Sequence, residues 1–561
     1  MQPPSPNALP RRWHLVCQVI DNFGDVGVLW RLARQLADEY GCRIDFFIDD
    51  IEALHKLAPH TRGQKPSAGP HRRVDPLACI RIHRLHADAP IGRQADVVIL
   101  GFQVRLPEAA RRHLLHLQEC RQTIERHQRP ANPGSNAPVD TRPDRETAAY
   151  PSPHAKASFR PPPDAGTPLP SCDPRTETPL PRSPAPPPLL IQLDYLSAES
   201  WVEGCHGLAS LHPDGLREYF FHPGFGPATG GLLRERSLPA WRDAFLADPA
   251  ARWQWLASLG IRPQPDERLV GLLCYRQAPL RALLDAWLAN PALTGGRRLH
   301  LLAPGADTQP HLPAAGELEA ASGGRIKLSR LPFLPQPEFD PLLWSCDLNL
   351  VRGEDSWIRA LWAGRPWLWQ AYPQDEDAHL IKLDAFLRAA AQAMMSSSTD
   401  SSATDLAVKP AVEEPAPHRP PPISSRQSPA AFSTPPPPCA DTGVQAPAQS
   451  LVDPAHACTR ANIQHDTDTA DLRHWQRAMR AWNRVPGHPV EDILLWLSDP
   501  QRATATCRRL SVAMSAGSAD LASRLTAFVM RHTRSCEMPS SPRSADSPCS
   551  NRPWQAQDTR A

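Results

Sequence analysis

Two long proline-rich stretches constrain the fold of this chain more than any other feature of its sequence. They run from about His127 to Pro188 and from about Met395 to Thr469, and they contain many of the 66 prolines among the 561 residues. Proline removes backbone donors, and the few apolar side chains cannot offset the entropy lost on ordering. We therefore expect both stretches to be disordered insertions.

The rest of the sequence alternates between strand patterns and helical patterns. Trp13–Ile20 is a short apolar run, apolar residues then recur at helical spacing as far as Gly41, and Arg43–Ile48 predicts the next strand. With strands predicted over 95–102 and 189–196, this order indicates a mostly parallel sheet covered by helices.

A second series of the same kind begins near Leu269. Its predicted strands cover 269–274, 299–303, 326–333, 347–351 and 366–370. Helical patterns separate them, for example over Gln336–Trp344 and Ser356–Trp362. The chain is therefore predicted to be an α/β protein with two Rossmann-like domains facing a cleft, where ligands bind beyond the carboxyl ends of the strands.

These patterns predict a division of the chain into two domains, a helical segment that packs back on them, and regions without structure. The predicted ranges are 12–245 for the N-terminal Rossmann-like domain with its insertion 127–188, 246–392 for the C-terminal Rossmann-like domain, 393–470 for the second insertion, 471–532 for the helical segment and 533–561 for a disordered tail.

Composition argues against several classes of protein. Lys+Arg and Asp+Glu nearly balance at 61 and 59, which gives little support to nucleic-acid binding. The 13 cysteines form no CxxC pair, which argues against a structural zinc site or a redox dithiol. Neither a signal-like start nor an apolar run of about 18 residues is present, so we expect a cytoplasmic protein without a membrane span.

The first candidate site is the segment DNFGDVG at 21–27, between the first predicted strand and the first helix. Asp21 and Asp25 lie four residues apart and can flank one point at the edge of the sheet, while Gly24 and Gly27 allow a ligand to approach the backbone. The alternative is that one of these carboxylates only caps the helix. The segment is not a GxGxxG fingerprint, so no dinucleotide is inferred.

The second candidate site is RGEDS at 352–356, directly after the strand pattern 347–351. A helix N-terminus offers amide donors to a diphosphate, and Arg352 can add a two-point contact. Acidic residues and serine are also common helix caps, but the position at the end of a strand favours function.

Two loops form the third candidate. Glycines in 225–231 allow close approach of a sugar or phosphate, although an ordinary surface turn fits equally well. In the loop 372–379, Asp375, Asp377 and His379 resemble metal ligands, but alternate loop residues need not converge, so we predict no metal site.

The chain resembles the family of arginine rhamnosyltransferases that modify translation elongation factor P. The resemblance covers about 12–126, 189–392 and 471–532, which leaves out the stretches expected to be disordered. The matching segments are VIDNFGDVGVLWRLARQLA at 19–37, LDYLSAESWVEGCHGL at 193–208, GFGPATGGLLRER at 224–236, LPFLPQPEFDPLLWSCDLNLVRGEDSWIRALWAGRPW at 331–367 and YPQDEDAHLIKLDAF at 372–386.

The resemblance implies a glycosyltransferase of the two-Rossmann-domain kind, known as GT-B, which inverts the anomeric centre without a metal. It implies no cofactor; the co-substrate would be dTDP-β-L-rhamnose. The acceptor would be one arginine side chain of folded elongation factor P. A guanidinium has a pKa above about 12 and delocalised lone pairs, so the enzyme must orient it and draw a proton away.

The resemblance also implies roles for individual residues. Asp25 would be the general base, Asp21 would hold the acceptor beside it, and Glu354 would be a further essential carboxylate that positions the donor. Phe333 would stack on thymine, Gln336 would contact that base and Tyr275 would line the pocket. The remaining residues implied to bind the donor are Phe23, Gly24, Arg352, Gly353, Asp355 and Ser356.

Two alternatives remain open at the level of sequence. One is a related glycosyltransferase with another nucleotide sugar or acceptor, since no residue proves rhamnose over a close 6-deoxysugar. The other is a binding module that keeps the fold without turnover. The presence of Asp21, Asp25 and Glu354 together argues against the second alternative.

Overall fold

Two parallel β-sheets form the centre of the protein. The computed structural model describes residues 9–20, 23–62, 79–128, 186–290, 296–305, 309–400 and 469–534. Within these ranges each sheet is covered by helices, which confirms the predicted α/β class with two Rossmann-like sheets.

The first sheet has seven strands in the order β3-β2-β1-β4-β5-β7-β6, and all neighbours are parallel except β6 and β7. Its strands are β1 (Arg12–Cys17), β2 (Arg43–Ile48), β3 (Ile80–Arg84), β4 (Val97–Gly101), β5 (Leu189–Leu193), β6 (Ala209–Leu211) and β7 (Arg217–Phe221). The strand order reverses between β1 and β4, which creates a crevice at their carboxyl ends.

The second sheet has five parallel strands in the order β10-β9-β8-β11-β12. Its strands are β8 (Glu267–Leu272), β9 (Arg298–Ala303), β10 (Ile326–Arg330), β11 (Leu348–Arg352) and β12 (Trp367–Gln370). Here the strand order reverses between β8 and β11, so a second crevice opens at the carboxyl ends of this pair.

Helices cover both sheets and connect them. Those before the second sheet are α1 (Gly24–Tyr40), α2 (Ile51–Leu57), α3 (Glu108–Gln128), α4 (Trp201–Cys205), α5 (Leu238–Ala247) and α6 (Pro249–Ser258). Those that follow are α7 (Leu280–Ala289), α8 (Ala315–Ala321), α9 (Gln336–Ser345), α10 (Asp355–Ala363), α11 (Ala378–Asp400), α12 (469–482), α13 (Glu491–Leu497), α14 (Pro500–Gly517) and α15 (Leu521–Arg534).

The last four helices tie the two halves together. Apolar side chains of α12, α13 and α14 belong to the core of the second sheet, whereas those of α15 belong to the core of the first. The chain crosses back between α14 and α15, where Leu232 and Asp520 form a parallel bridge. The connection from the first sheet to the second and the return connection therefore run side by side.

Several element bounds differ from the prediction for local reasons. β1 ends at Cys17 instead of Ile20, because the Val19 amide donates to Asp49 rather than to a neighbouring strand. α11 continues to Asp400 through a run of Ala, Gln and Met, past the predicted limit at 392. The predicted domain boundary at 245 falls inside α5, which packs on α9 of the second domain.

Three strands, β3, β6 and β7, were absent from the prediction. β3 reads IRIHR and β6 has three residues, so neither shows a clear apolar pattern. Within the described ranges, no helix is long and apolar enough to cross a membrane.

Candidate functional site

The two main sequence motifs lie at the two crevices of the fold. The described part of the first motif follows β1, and RGEDS links β11 to α10. Tyr275 follows β8, which pairs with β11. Both motifs therefore stand where the strand order reverses, and the contacts described below show that they face each other.

The turn from β11 into α10 is shaped by its own residues. Gly353 has a φ of +65°, a left-handed conformation that strains any side-chain-bearing residue. The Ser356 hydroxyl contacts the Arg352 carbonyl oxygen, and the Arg352 amide donates to that hydroxyl at 3.2 Å. The Arg352 guanidinium lies 4.5 Å from the centre of the Tyr275 ring. These contacts tie the backbone of Arg352 to the first turn of α10 and hold its guanidinium against Tyr275.

One cavity brings together all the residues predicted to bind a donor. It occupies about 780 Å³, including space open to solvent. Leu57, Leu273 and Phe339 add apolar walls, and Glu354 also lines it. The predicted residues that line this first cavity are Phe23, Gly24, Tyr275, Phe333, Gln336, Arg352, Gly353, Asp355 and Ser356.

Phe333 and Gln336 both contact the opposite domain. Phe23 lies against Phe333, with ring centres 4.5 Å apart. The Gln336 amide nitrogen donates to the Gly27 carbonyl oxygen at 2.7 Å. The buried Gln336 Oε1 has no hydrogen-bond partner among the described residues. A buried acceptor of this kind is suited to a ligand N–H.

A second cavity adjoins the first and contains Asp25. It is lined also by Tyr195, Tyr372, His379 and Lys382, and it occupies about 1060 Å³ including open solvent. The two cavities have three lining residues in common, Gly24, Gly353 and Glu354. A group bound in the first cavity can therefore react with one in the second at this junction.

The two carboxylates at the junction are held by backbone amides rather than by their own helices. Asp25 is buried and accepts from the Ile20 amide at 2.9 Å. Glu354 accepts from the Leu196 amide, at 3.2 Å to each of its oxygens. Neither α1 nor α10 has a side-chain cap at its first turn. The capping alternative therefore does not apply to Asp25 or Glu354.

Burial raises the pKa of Glu354 to about 8. The Leu196 amide and the charge of Lys382 oppose this rise, whereas the nearby carboxylates of Asp25 and Asp194 add to it. This coupling shows that the Asp25 and Glu354 carboxylates are electrostatic neighbours. Strongly perturbed carboxyl groups in a cleft are typical of functional sites.

The remaining predicted features have different outcomes. Asp21 lies outside the described residues. The loop 225–231 does not line the first or second cavity. Arg524 of α15 donates to two of its carbonyl oxygens, and Gly231 at its end lines a separate, smaller cavity. From the loop 372–379, Tyr372, Gln374 and His379 line the second cavity. Among the described residues, no group of three His, Cys, Asp or Glu side chains could hold a metal.

Sequence reasoning missed Lys382 and a set of charged residues between the domains. One pattern could have revealed part of that set. Gly24, Gly27, Arg31 and Gln35 follow one another at helical spacing and form a stripe of small and polar residues along helix α1. This stripe faces the second domain, as the contacts of Gly27 and Arg31 show.

Two α/β domains that meet at a cleft, with opposed carboxylates and a helix N-terminus beside a ligand-sized cavity, define a glycosyltransferase of the GT-B type. The family described as "Elongation-Factor P (EF-P) rhamnosyltransferase EarP" matches residues 13–124 and 171–411. The chain belongs to this family.

Two individual relatives support this assignment. A protein-arginine rhamnosyltransferase of Pseudomonas putida is 37% identical over 384 residues, which cover 67% of this chain and 80% of that protein. The protein of the same name in Neisseria meningitidis is 31% identical over 388 residues, which cover 66% and 77%. A solved structure described as "Structural basis for EarP-mediated arginine glycosylation of translation elongation factor EF-P" superposes with a TM-score of 0.42 at 20% identity, covering 92% of this chain and 98% of that one.

Proposed function

We infer that this protein is a protein-arginine rhamnosyltransferase that glycosylates an arginine of elongation factor P with a nucleotide-sugar donor. Membership of the family supports this function. The structural observation that carries it is the junction of two cavities at Gly24, Gly353 and Glu354, with Asp25 on one side and α10 on the other. Because the acceptor is a translation factor, we propose the cytoplasm as its compartment.

We propose dTDP-β-L-rhamnose as the donor, bound in the first cavity. Its thymine would stack on Phe333 and donate its ring N–H to the unpartnered Oε1 of Gln336. Its diphosphate would lie at the N-terminus of α10, where the amides of the first turn and Arg352 can donate to it. Tyr275 would hold Arg352 in place through the contact between ring and guanidinium.

We propose the second cavity for the acceptor arginine. Asp25 would accept a guanidinium proton as the nitrogen attacks, with Asp21 holding the acceptor beside it. The new C–N bond would form at the anomeric carbon while its bond to the diphosphate oxygen breaks, so that one displacement inverts that centre. The electron pair would leave with dTDP, and the amides of α10 would stabilise its charge.

The surroundings of Glu354 would make its charge depend on whether the acceptor is bound. Its raised pKa favours the protonated carboxyl at neutral pH before substrate binds. An arriving guanidinium would supply positive charge, favour the carboxylate and gain a charge-assisted hydrogen bond. Glu354 would thereby orient the acceptor at the junction of the cavities, in addition to positioning the donor as the resemblance implies.

Intact-mass spectrometry of elongation factor P after incubation with the protein and dTDP-rhamnose tests the function. We expect the mass of one deoxyhexose to be added, and fragment spectra to locate it on an arginine. Transfer only from another nucleotide sugar would favour a related glycosyltransferase, and no transfer from any donor would favour a binding module. Asp25→Asn serves as the matched control, because it keeps the shape of the side chain but removes the proposed base.

A further inference from the structure

Five charged side chains, three buried and two half-buried, form a network between the two domains. Arg31 belongs to α1 of the first domain, Glu235 to the connection between domains, Asp340 to α9, and Asp355 and Arg359 to α10. Arg359 donates to both oxygens of Asp340, at 2.7 and 2.6 Å, and to Glu235 at 2.5 Å. Arg31 donates to Glu235 at 3.3 Å and so joins the same network from the opposite domain.

The contact between Arg31 and Asp355 is the part of this network nearest to the reaction site. Arg31 Nε donates to Asp355 Oδ1 at 3.0 Å, and its Nη2 donates to Oδ2 at 3.3 Å. This two-point geometry fixes orientation as well as distance. Arg31 shares α1 with Asp25, and Asp355 directly follows Glu354. The ion pair therefore connects the helix of one proposed catalytic carboxylate to the turn that carries the other.

The same ion pair places a positive charge beside a carboxylate that lines the first cavity. Asp355 lines that cavity at the N-terminus of α10, where the diphosphate is proposed to bind. An unpaired carboxylate there would repel a diphosphate, because like charges close together are unfavourable. Burial and Arg359 oppose the charged form of Arg31, but the carboxylates of Asp355, Glu235 and Asp340 outweigh them, and its pKa is raised. Arg31 is thus a permanent cation beside Asp355.

We propose that Arg31 is a positioning residue for the transfer reaction: it holds the Asp25 helix in register with the Glu354 turn, and it compensates the charge of Asp355 so that the donor diphosphate can bind. This inference rests on the proposed function. Arg31 touches neither proposed substrate directly, because its guanidinium is taken up by carboxylates of the network.

A double-mutant cycle on dTDP binding tests the charge compensation. Isothermal titration calorimetry would measure dTDP affinity for the wild type, Arg31→Met, Asp355→Asn and the double variant. We expect Arg31→Met to lower the affinity for dTDP at least about tenfold when residue 355 is aspartate. We expect a loss of less than about threefold when residue 355 is asparagine. Equal losses in both backgrounds would overturn the charge compensation, and so would an unchanged affinity in Arg31→Met.

Arg31→Lys tests whether Arg31 holds the Asp25 helix in register with the Glu354 turn. It also keeps the proposal testable if Arg31→Met does not fold. Lysine keeps the charge but cannot make the two-point contact. We expect dTDP affinity within about threefold of the wild type and a kcat for transfer to elongation factor P at least about tenfold lower, since small misplacements are costly in a displacement. A wild-type kcat in Arg31→Lys would overturn the register.

Gln35→Met is the matched control on the same helix. Gln35 is as buried as Arg31 and lies one turn further along, where it donates to the Arg234 carbonyl oxygen and to Asp520 rather than to the cavity. We expect wild-type dTDP affinity in Gln35→Met; a loss equal to that of Arg31→Met would reduce Arg31 to a merely structural role. If the wild type binds dTDP but does not modify elongation factor P, the proposed function fails while the binding cycle remains decisive.

Discussion

Glu354→Gln is expected to stabilise the protein at high pH. The ordinary pKa of this carboxyl is 4.5, and burial raises it to about 8 in the native protein. Between these values the native state holds a proton that the unfolded chain has lost. The contribution of Glu354 to the free energy of unfolding, measured against Glu354→Gln, is therefore fully present below pH 4.5. It decreases as the pH rises, until the pH passes about 8.

The magnitude follows from the two pKa values. Each pH unit between them costs about 1.4 kcal/mol, so the full effect would be about 5 kcal/mol. Glu354 keeps partial contact with solvent, which screens the effect, and we expect about 2 kcal/mol. Glutamine removes the titration but keeps an oxygen that can accept from the Leu196 amide.

Urea denaturation followed by tryptophan fluorescence, at about pH 5 and about pH 9, measures the difference in the free energy of unfolding. Glu235→Gln is the control, because Arg359 and Arg31 outweigh the effect of burial and lower the pKa of Glu235 to about 2. The stabilising contribution of Glu235 is full above its ordinary pKa of 4.5 and is lost as the pH falls toward 2. The free energy of unfolding lost in Glu235→Gln, about 3 kcal/mol, is therefore the same at both pH values. A difference between Glu354→Gln and the wild type that is equal at both pH values would refute the reasoning.

Three further substitutions, one of them with a control, test the proposed general base, the glycine at the crossing of the two interdomain connections, and the contact with thymine. Asp25→Asn should lower the single-turnover rate of transfer at least about 100-fold with dTDP affinity unchanged, and a near-normal rate would show that Asp25 is not the base. Gly231→Ala should cost about 3 kcal/mol in thermal unfolding, because its φ is +78° and a Cβ would lie 2.1 Å from the Ala519 carbonyl oxygen. Gly260→Ala, with a φ of +75° and nothing within 4 Å, should cost only about 1 kcal/mol, and equal losses would contradict the steric argument. Phe333→Ala should lower the affinity for dTDP, measured by calorimetry, about tenfold. An unchanged affinity would show that thymine binds elsewhere.

Much of the fold could be predicted because its strands are buried on both faces. The run of β4, VVILG, is wholly apolar and most residues of β1 and β11 are apolar, and that property is visible in sequence without knowledge of their neighbours. β3 is more polar and lies at the edge of its sheet, so its strand pattern is weak. β6 and β7 pair with each other in antiparallel fashion, a tertiary relation that no local pattern encodes.

The first cavity was predictable because its residues stand in motifs next to strand ends. Gly353 and Arg352 are examples, since a loop at the carboxyl end of a parallel strand is a common ligand site. The buried network of Arg31, Glu235 and Asp340 was not predictable, because its members are far apart in sequence and each could have been an ordinary surface charge. Only the fold shows that Arg31 and Asp340 are buried and that Glu235 lies against Arg31.

A crystal structure with dTDP-rhamnose bound tests the central claim most directly. The account predicts thymine against Phe333, the diphosphate at the start of α10, and the anomeric carbon at the junction of the two cavities between Asp25 and Glu354. A donor bound away from α10, or an anomeric carbon that points away from Asp25, would contradict it.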